Sequence, residues 1–291
     1  MLSCLFKNAI MISSAIGFLA IAAYCQLQIP SILAQGLTNI TNGNHSLKFF
    51  LIFSLSFLCK IFAQSIGNSL AAYAEACTRF FLISSVVHNP SQCTIGSRIT
   101  LIKEDAERVA SAVHDFIHLA GSCILTFATA YTLLNENAYF TLPIIIITAL
   151  TSTYIKYGAA RIEKMYTIEI EQEELYKDSI IKTLNIPATH KEDSTHHLNK
   201  SLDLLKKATH ARYRYNKASL VMCFWPELLI ALGTAFVIII IASSTPELFG
   251  TKLIAYLGYI GIFTMASANS IKLAIALIGV NISIKRIFKE A

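Results

Sequence analysis

Residues 156–217 read KYGAARIEKMYTIEIEQEELYKDSIIKTLNIPATHKEDSTHHLNKSLDLLKKATHARYRYNK. This stretch holds twelve of the chain's 24 Lys and Arg residues, yet it lies between two almost purely apolar segments, Thr141–Tyr154 and Ala218–Ser243. A large charged block is therefore expected to be held between two membrane spans. Its pattern remains helical: Ile162, Tyr166 and Ile170, then Ile180 and Leu184, recur at threes and fours, and Leu198, Leu202, Leu205 and Ala208 resume the pattern after a break. Pro187, with Ala188, Thr189 and the polar Lys191–Thr195, supplies that break, because proline cannot continue a helix and biases its predecessor toward extended geometry. The expectation is two long helices that leave the bilayer, turn near Pro187–His197, and return.

Composition agrees. At 291 residues, 54% hydrophobic and 14% charged, with a mean hydropathy of +0.55, the chain is too apolar for an ordinary soluble domain. The net charge of +6 does not imply a nucleic-acid partner, since the basic residues are interleaved with Glu169, Glu171, Glu173, Glu174 and Asp178 and flank apolar runs. Seven cysteines, Cys4, Cys25, Cys59, Cys77, Cys93, Cys123 and Cys223, are scattered with no C-x-x-C spacing, so they signal neither a disulfide framework nor a zinc site. The apolar run Ala9–Leu33 exceeds the roughly 7–15 residues of a cleaved leader's core and is expected to remain as a first span.

A spanning helix needs about 20 apolar residues. Six runs qualify: 9–33, 47–67, 116–134, 138–157, 218–241 and 252–275. They predict an all-α membrane protein that is one transmembrane domain over 1–291, with six long helices and both termini on one side. The basic residues mark that side as cytoplasmic: Lys156–Lys217, then Arg79, Arg98, Lys103 and Arg108 between spans two and three, then Lys285, Arg286 and Lys289 after span six. Outer connections are expected to be short, at Gln35–Ser46, Asn135–Asn137 and Ser243–Thr251. Both inner connections keep a helical pattern beyond the apolar run, so two helical hairpins, about 68–115 and 156–217, are expected to project into the cytoplasm. The location is a plasma or bacterial inner membrane, with lipid as surroundings.

Six spans with short outer loops, and long inner helices closed by polar tips at Asn89–Ser97 and Pro187–His197, resemble the type-1 transmembrane domain of ABC exporters. Glu104–Asp105–Ala106–Glu107–Arg108–Val109–Ala110–Ser111 is similar to the E-D-x-x-R-x-A-S stretch of SbmA/BacA-like peptide transporters, a branch of that superfamily that works without an ATPase domain. Glu173, Tyr176 and Lys177 resemble its E-x-x-[YF]-[RK] segment, whereas Leu101 stands where that branch places an Arg. The resemblance implies peptide-like or amphipathic cargo, alternating access, and a homodimer or paired half-transporter. It also implies docking of a separate ATP-binding subunit on the two tips, at Asn89, Pro90 and Gln92 and at Pro187, His190 and Glu192.

No glycine is followed by Lys, so the G-x-x-x-x-G-K-[ST] loop that cradles phosphates is absent from the sequence. The chain is thus expected to be a transporter subunit and not itself an enzyme, with no cofactor of its own; ATP and magnesium would be held by the partner. The positive signals are ionisable groups inside apolar runs: Lys60 in span two, Glu227 behind Trp225–Pro226 in span five, and Lys272 in span six, all roughly 11–20 Å above the inner boundary. Charges at that depth normally face a bundle interior or a wet cavity and pair. Glu227 is expected to pair with Lys60 or Lys272 beside a substrate or proton pathway that Gln64, Asn68 and Asn269 also line; a structural ion pair or a snorkelling lysine is the plainer alternative. His114 and His118 have the i,i+4 spacing of two metal ligands, which keeps a haem- or metal-binding membrane protein as a further alternative. Proton drive through Glu227 stands beside ATP drive as the motive force.

Overall fold

The computed structural model describes residues 2–41, 47–88, 99, 101–184, 191–244 and 251–290. Among these residues there is no strand. The elements are α1 (Leu2–Thr41), α2 (Leu47–His88), a π-helical turn (Leu101–Asp105), α3 (Ala106–Leu184), α4 (Lys191–Ser244), α5 (Thr251–Ala276) and α6 (Val280–Glu290). Among the described residues six helical segments are long and apolar enough to cross a membrane: Asn8–Asn39, Lys48–Val87, Leu101–Glu136, Thr141–Leu184, His197–Ile240 and Leu253–Ile287. The protein is an all-α, multi-pass membrane protein.

An all-helical solution follows from the solvent, because a helix satisfies its backbone groups within one segment where no water can do so. Hydroxyl side chains obey the same constraint. Thr126, Thr129, Thr132, Thr148 and Thr153 each donate to the carbonyl four residues earlier, at 2.6–3.0 Å. Pro143 and Pro226 lie inside α3 and α4.

Two sequence expectations are corrected. Asn135–Asn137 is not a loop, since helical geometry runs through it. The chain nevertheless reverses there: Thr141 Oγ1 donates to the Leu133 carbonyl at 3.0 Å, whereas eight residues of straight helix would separate them by about 12 Å. Leu133 and Ile144 consequently share one core. The second correction concerns the polar tip at Pro187–His197. Helix α4 already starts at Lys191, so His196 and His197 are helical.

The chain divides into two compact units. The first gathers Met1–Ala74, His114–Tyr154 and Cys223–Ala274; the second gathers Glu75–Val113, Ile155–Met222 and Ile275–Ala291. In the first unit Leu133, Ile144, Val237, Tyr256, Tyr259, Ile260 and Phe263 form the core. A buried polar pair links the reversal to α5, with the Thr141 and Tyr256 hydroxyls 3.0 Å apart. In the second unit Leu82 and Val86 of α2, Leu101, Ala106 and Ile287 of α6 pack together. The π-helical turn suits that core, because its extra residue lets the consecutive Asp105 and Ala106 both face inward. Gly279 makes the turn between α5 and α6 at φ +90°, a conformation that costs a side-chain-bearing residue. From it α6 lays Val280, Ser283 and Ile287 on its buried stripe.

Candidate functional site

Within the first unit, Lys60, Gln64 and Asn269 line one cavity of about 270 Å³. Four helices build it at helical spacing: α1 contributes Ala22 and Ala23, α2 Lys60 and Gln64, α3 His118, Gly121 and Ser122, and α5 Ile262, Met265, Ala266 and Asn269. The small residues Ala22, Ala23, Gly121 and Ala266 leave the space, and Lys60, Gln64, His118, Ser122 and Asn269 give it polar walls. Lys60 is half-buried, and Gln64 and Asn269 are exposed on the unit. In hydrocarbon such groups would be unsatisfied, so this face calls for water or for another polypeptide surface.

Glu227 and Lys272 pair at 3.8 Å, as one of the two expected alternatives had it. Neither lines the cavity. Their side chains keep 43% and 66% of their exposure, which makes the contact loose and leaves two charges on the face of apolar helices. Asn68 is exposed on α2 and lies outside the cavity lining. The His114 and His118 rings face each other with centroids 4.5 Å apart. Among the described residues no group of three or more His, Cys, Asp or Glu side chains is gathered that could hold a metal ion.

The second unit joins the two separately noted motifs. Lys177 bridges Glu104 and Glu173, the latter at 3.3 Å. Arg286 bridges Glu174 and Asp105, the latter at 3.4 Å. Asp105 is 1% exposed, so its carboxylate depends on that guanidinium for compensation. Arg108 stacks over the Tyr166 ring at 3.6 Å to its centroid, donates to the Tyr215 hydroxyl at 2.8 Å and reaches the Ile278 carbonyl at 3.4 Å. The Tyr166 hydroxyl meets Ser283 of α6 at 3.2 Å. Glu104, Asp105, Arg108, Glu173 and Lys177 thus belong to one lock, and Tyr176 is half-buried beside them in sequence. Glu174, Arg286, Tyr166, Tyr215 and Ser283 were not singled out from the sequence. A signal existed for Tyr166, which stands on the apolar stripe with Ile162 and Ile170; Arg286 read only as one of three basic residues after the last span.

Of the expected docking residues, Asn89, Pro90, Gln92, Pro187 and His190 lie outside the described residues, and Glu192 is described only as part of the α4 backbone. Compared with known proteins, the chain matches no family model and no curated sequence.

Proposed function

We propose that the chain is one half of a two-fold membrane transporter of the ABC-exporter type, moving peptide-like or amphipathic substrates by alternating access. The observation that carries this reading is the cavity among the spans, where Lys60, Gln64 and Asn269 converge on a face that lipid cannot satisfy. A second half, identical or related, placed against that face would enclose a polar pathway. The joining of the Glu104–Arg108 and Glu173–Lys177 motifs in one lock supports the resemblance on which the family assignment rests. ATP would be hydrolysed by a separate subunit docked at residues 89–97 and 187–197. Both termini and both charged blocks would face the cytoplasm.

The Glu227–Lys272 pair favours a second reading of the motive force. A carboxylate beside an ammonium within apolar helices can exchange a proton as its surroundings change, so a proton gradient would drive the same pathway in the manner of SbmA/BacA-like carriers.

Purified protein in proteoliposomes, loaded with a fluorescent amphipathic peptide, tests both readings. Expected is peptide movement above that of protein-free vesicles, under an imposed pH gradient or with ATP and the co-purified ATPase. It should fall at least about ten-fold in Lys60→Met, the effect of losing a polar contact with cargo. No movement under either condition would sink the transport reading.

A further inference from the structure

Antiparallel helices α3 and α4 of the second unit enclose a groove of about 790 Å³ that the transport reading does not use. Its walls are two helix faces: Arg161, Lys164, Ile168 and Gln172 on α3, and Lys206, Lys207, His210 and Arg214 on α4. Five are Lys or Arg, and among the described lining residues Asp203 is the one carboxylate. That carboxylate pairs with Lys207 at 2.8 Å. Three acids of α3 pair elsewhere: Glu169 with Arg212 at 3.9 Å, Glu173 with Lys177, and Glu174 with Arg286. Arg161 and Lys164 of α3 line the groove, and no described acid of α3 does. The floor is apolar, formed by Met165 and the buried Ala211, with Ile168 beside them on the wall.

Position along the helices narrows the occupant. Arg161 follows the end of the apolar run at Tyr157 by four residues, and Arg214 precedes Ala218 by four, which is about 6 Å along each helix. The headgroup layer occupies about 5–8 Å beyond the hydrocarbon on each side, so the Arg161–Arg214 end of the groove opens in it and the rest of the groove extends away from the bilayer. At that end Gly158 of α3 packs against the Met222 side chain of α4, whose Cε a Cβ there would meet at 2.5 Å. A basic rim, an apolar floor and a mouth at the headgroup layer suit an anionic amphiphile that enters from the bilayer.

We infer that this groove binds the headgroup of an anionic phospholipid carrying more than one phosphate, from the leaflet on the side of the Lys156–Lys217 block. Five bases less Asp203 leave four positive charges, more than a single phosphate offsets; a zwitterionic headgroup leaves all of them uncompensated.

Native mass spectrometry of the full chain, titrated with cardiolipin, phosphatidylcholine or inorganic phosphate, tests this directly. The comparison is with the triple variant Lys164→Gln, Lys206→Gln, Arg214→Gln, which changes exposed side chains only. Expected is cardiolipin binding about 100-fold weaker in the triple variant, about five-fold per charge removed. Phosphatidylcholine binding should be unchanged and inorganic phosphate unable to compete. Should the triple variant not fold, the single variant Lys206→Gln is to lose about five-fold and Lys206→Arg nothing. Equal cardiolipin binding by wild type and variant overturns the inference. So does competition by inorganic phosphate alone, or preferential capture of an acidic peptide in place of lipid. The readout needs no transport, so this site and the pathway stand or fall separately.

Discussion

Arg286 shows what a single residue can carry. It is the counter-charge of a carboxylate that is 1% exposed, and it also holds Glu174. Removing one partner of a buried pair leaves the other charge uncompensated, at about 3–5 kcal/mol. Arg286→Gln should therefore unfold at a clearly lower temperature than the parent in detergent, and adding Asp105→Asn should recover most of the loss. If the single variant melts with the parent, the lock does not stabilise the fold. Glu227 belongs to a different category, being a loosely paired and partly exposed acid on an apolar helix. Glu227→Gln should leave thermal stability in detergent nearly unchanged, because its contact with Lys272 is long and both side chains stay open. Its effect should appear in proton-driven peptide movement in vesicles, and undiminished movement there would remove Glu227 from the pathway.

Among the elements, the reversal inside α3 and the turn before α6 depend most on single groups. Thr141 joins both halves of the reversal, through its bond to the Leu133 carbonyl, to α5 through Tyr256. Thr141→Val keeps the shape and strands the Tyr256 hydroxyl, so it should cost about 1–3 kcal/mol in chemical or thermal unfolding. At Gly279 the positive φ is the constraint, and a Cβ there would also come within 3.0 Å of the Tyr166 ring that Arg108 covers. Gly279→Ala should cost about 1–2 kcal/mol for the left-handed backbone. The same change at Gly261, where no atom would meet the new Cβ, should be stabilising or neutral.

At the scale of the whole molecule, the testable quantity is topology. Cysteines introduced at Glu136 and at Lys200, in a background without the native thiols, should be labelled by an impermeant maleimide from opposite sides of the membrane, Lys200 from the basic side. Labelling of both from one side would refute the six-span arrangement. Length, apolar runs and charge placement were enough to read six spanning helices, because hydrocarbon imposes the same demand on every residue that crosses it; of the polar group marked from the sequence, Lys60, Gln64 and Asn269 line one cavity, whereas Asn68, Glu227 and Lys272 do not. The sequence also showed helical periodicity on both sides of residues 185–190, and α3 and α4 follow it. It could not show that Asn135–Asn137 turns without leaving helical geometry, since that reversal rests on a hydroxyl meeting a carbonyl eight residues away. Nor could it show that Lys177 belongs to Glu104, or Arg286 to Asp105, 73 residues apart in the first case and further still in the second. Periodicity and hydropathy are local properties of a chain and were legible in the linear order. The choice of counter-charge is made by which helix faces pack together, and only the tertiary structure decides that.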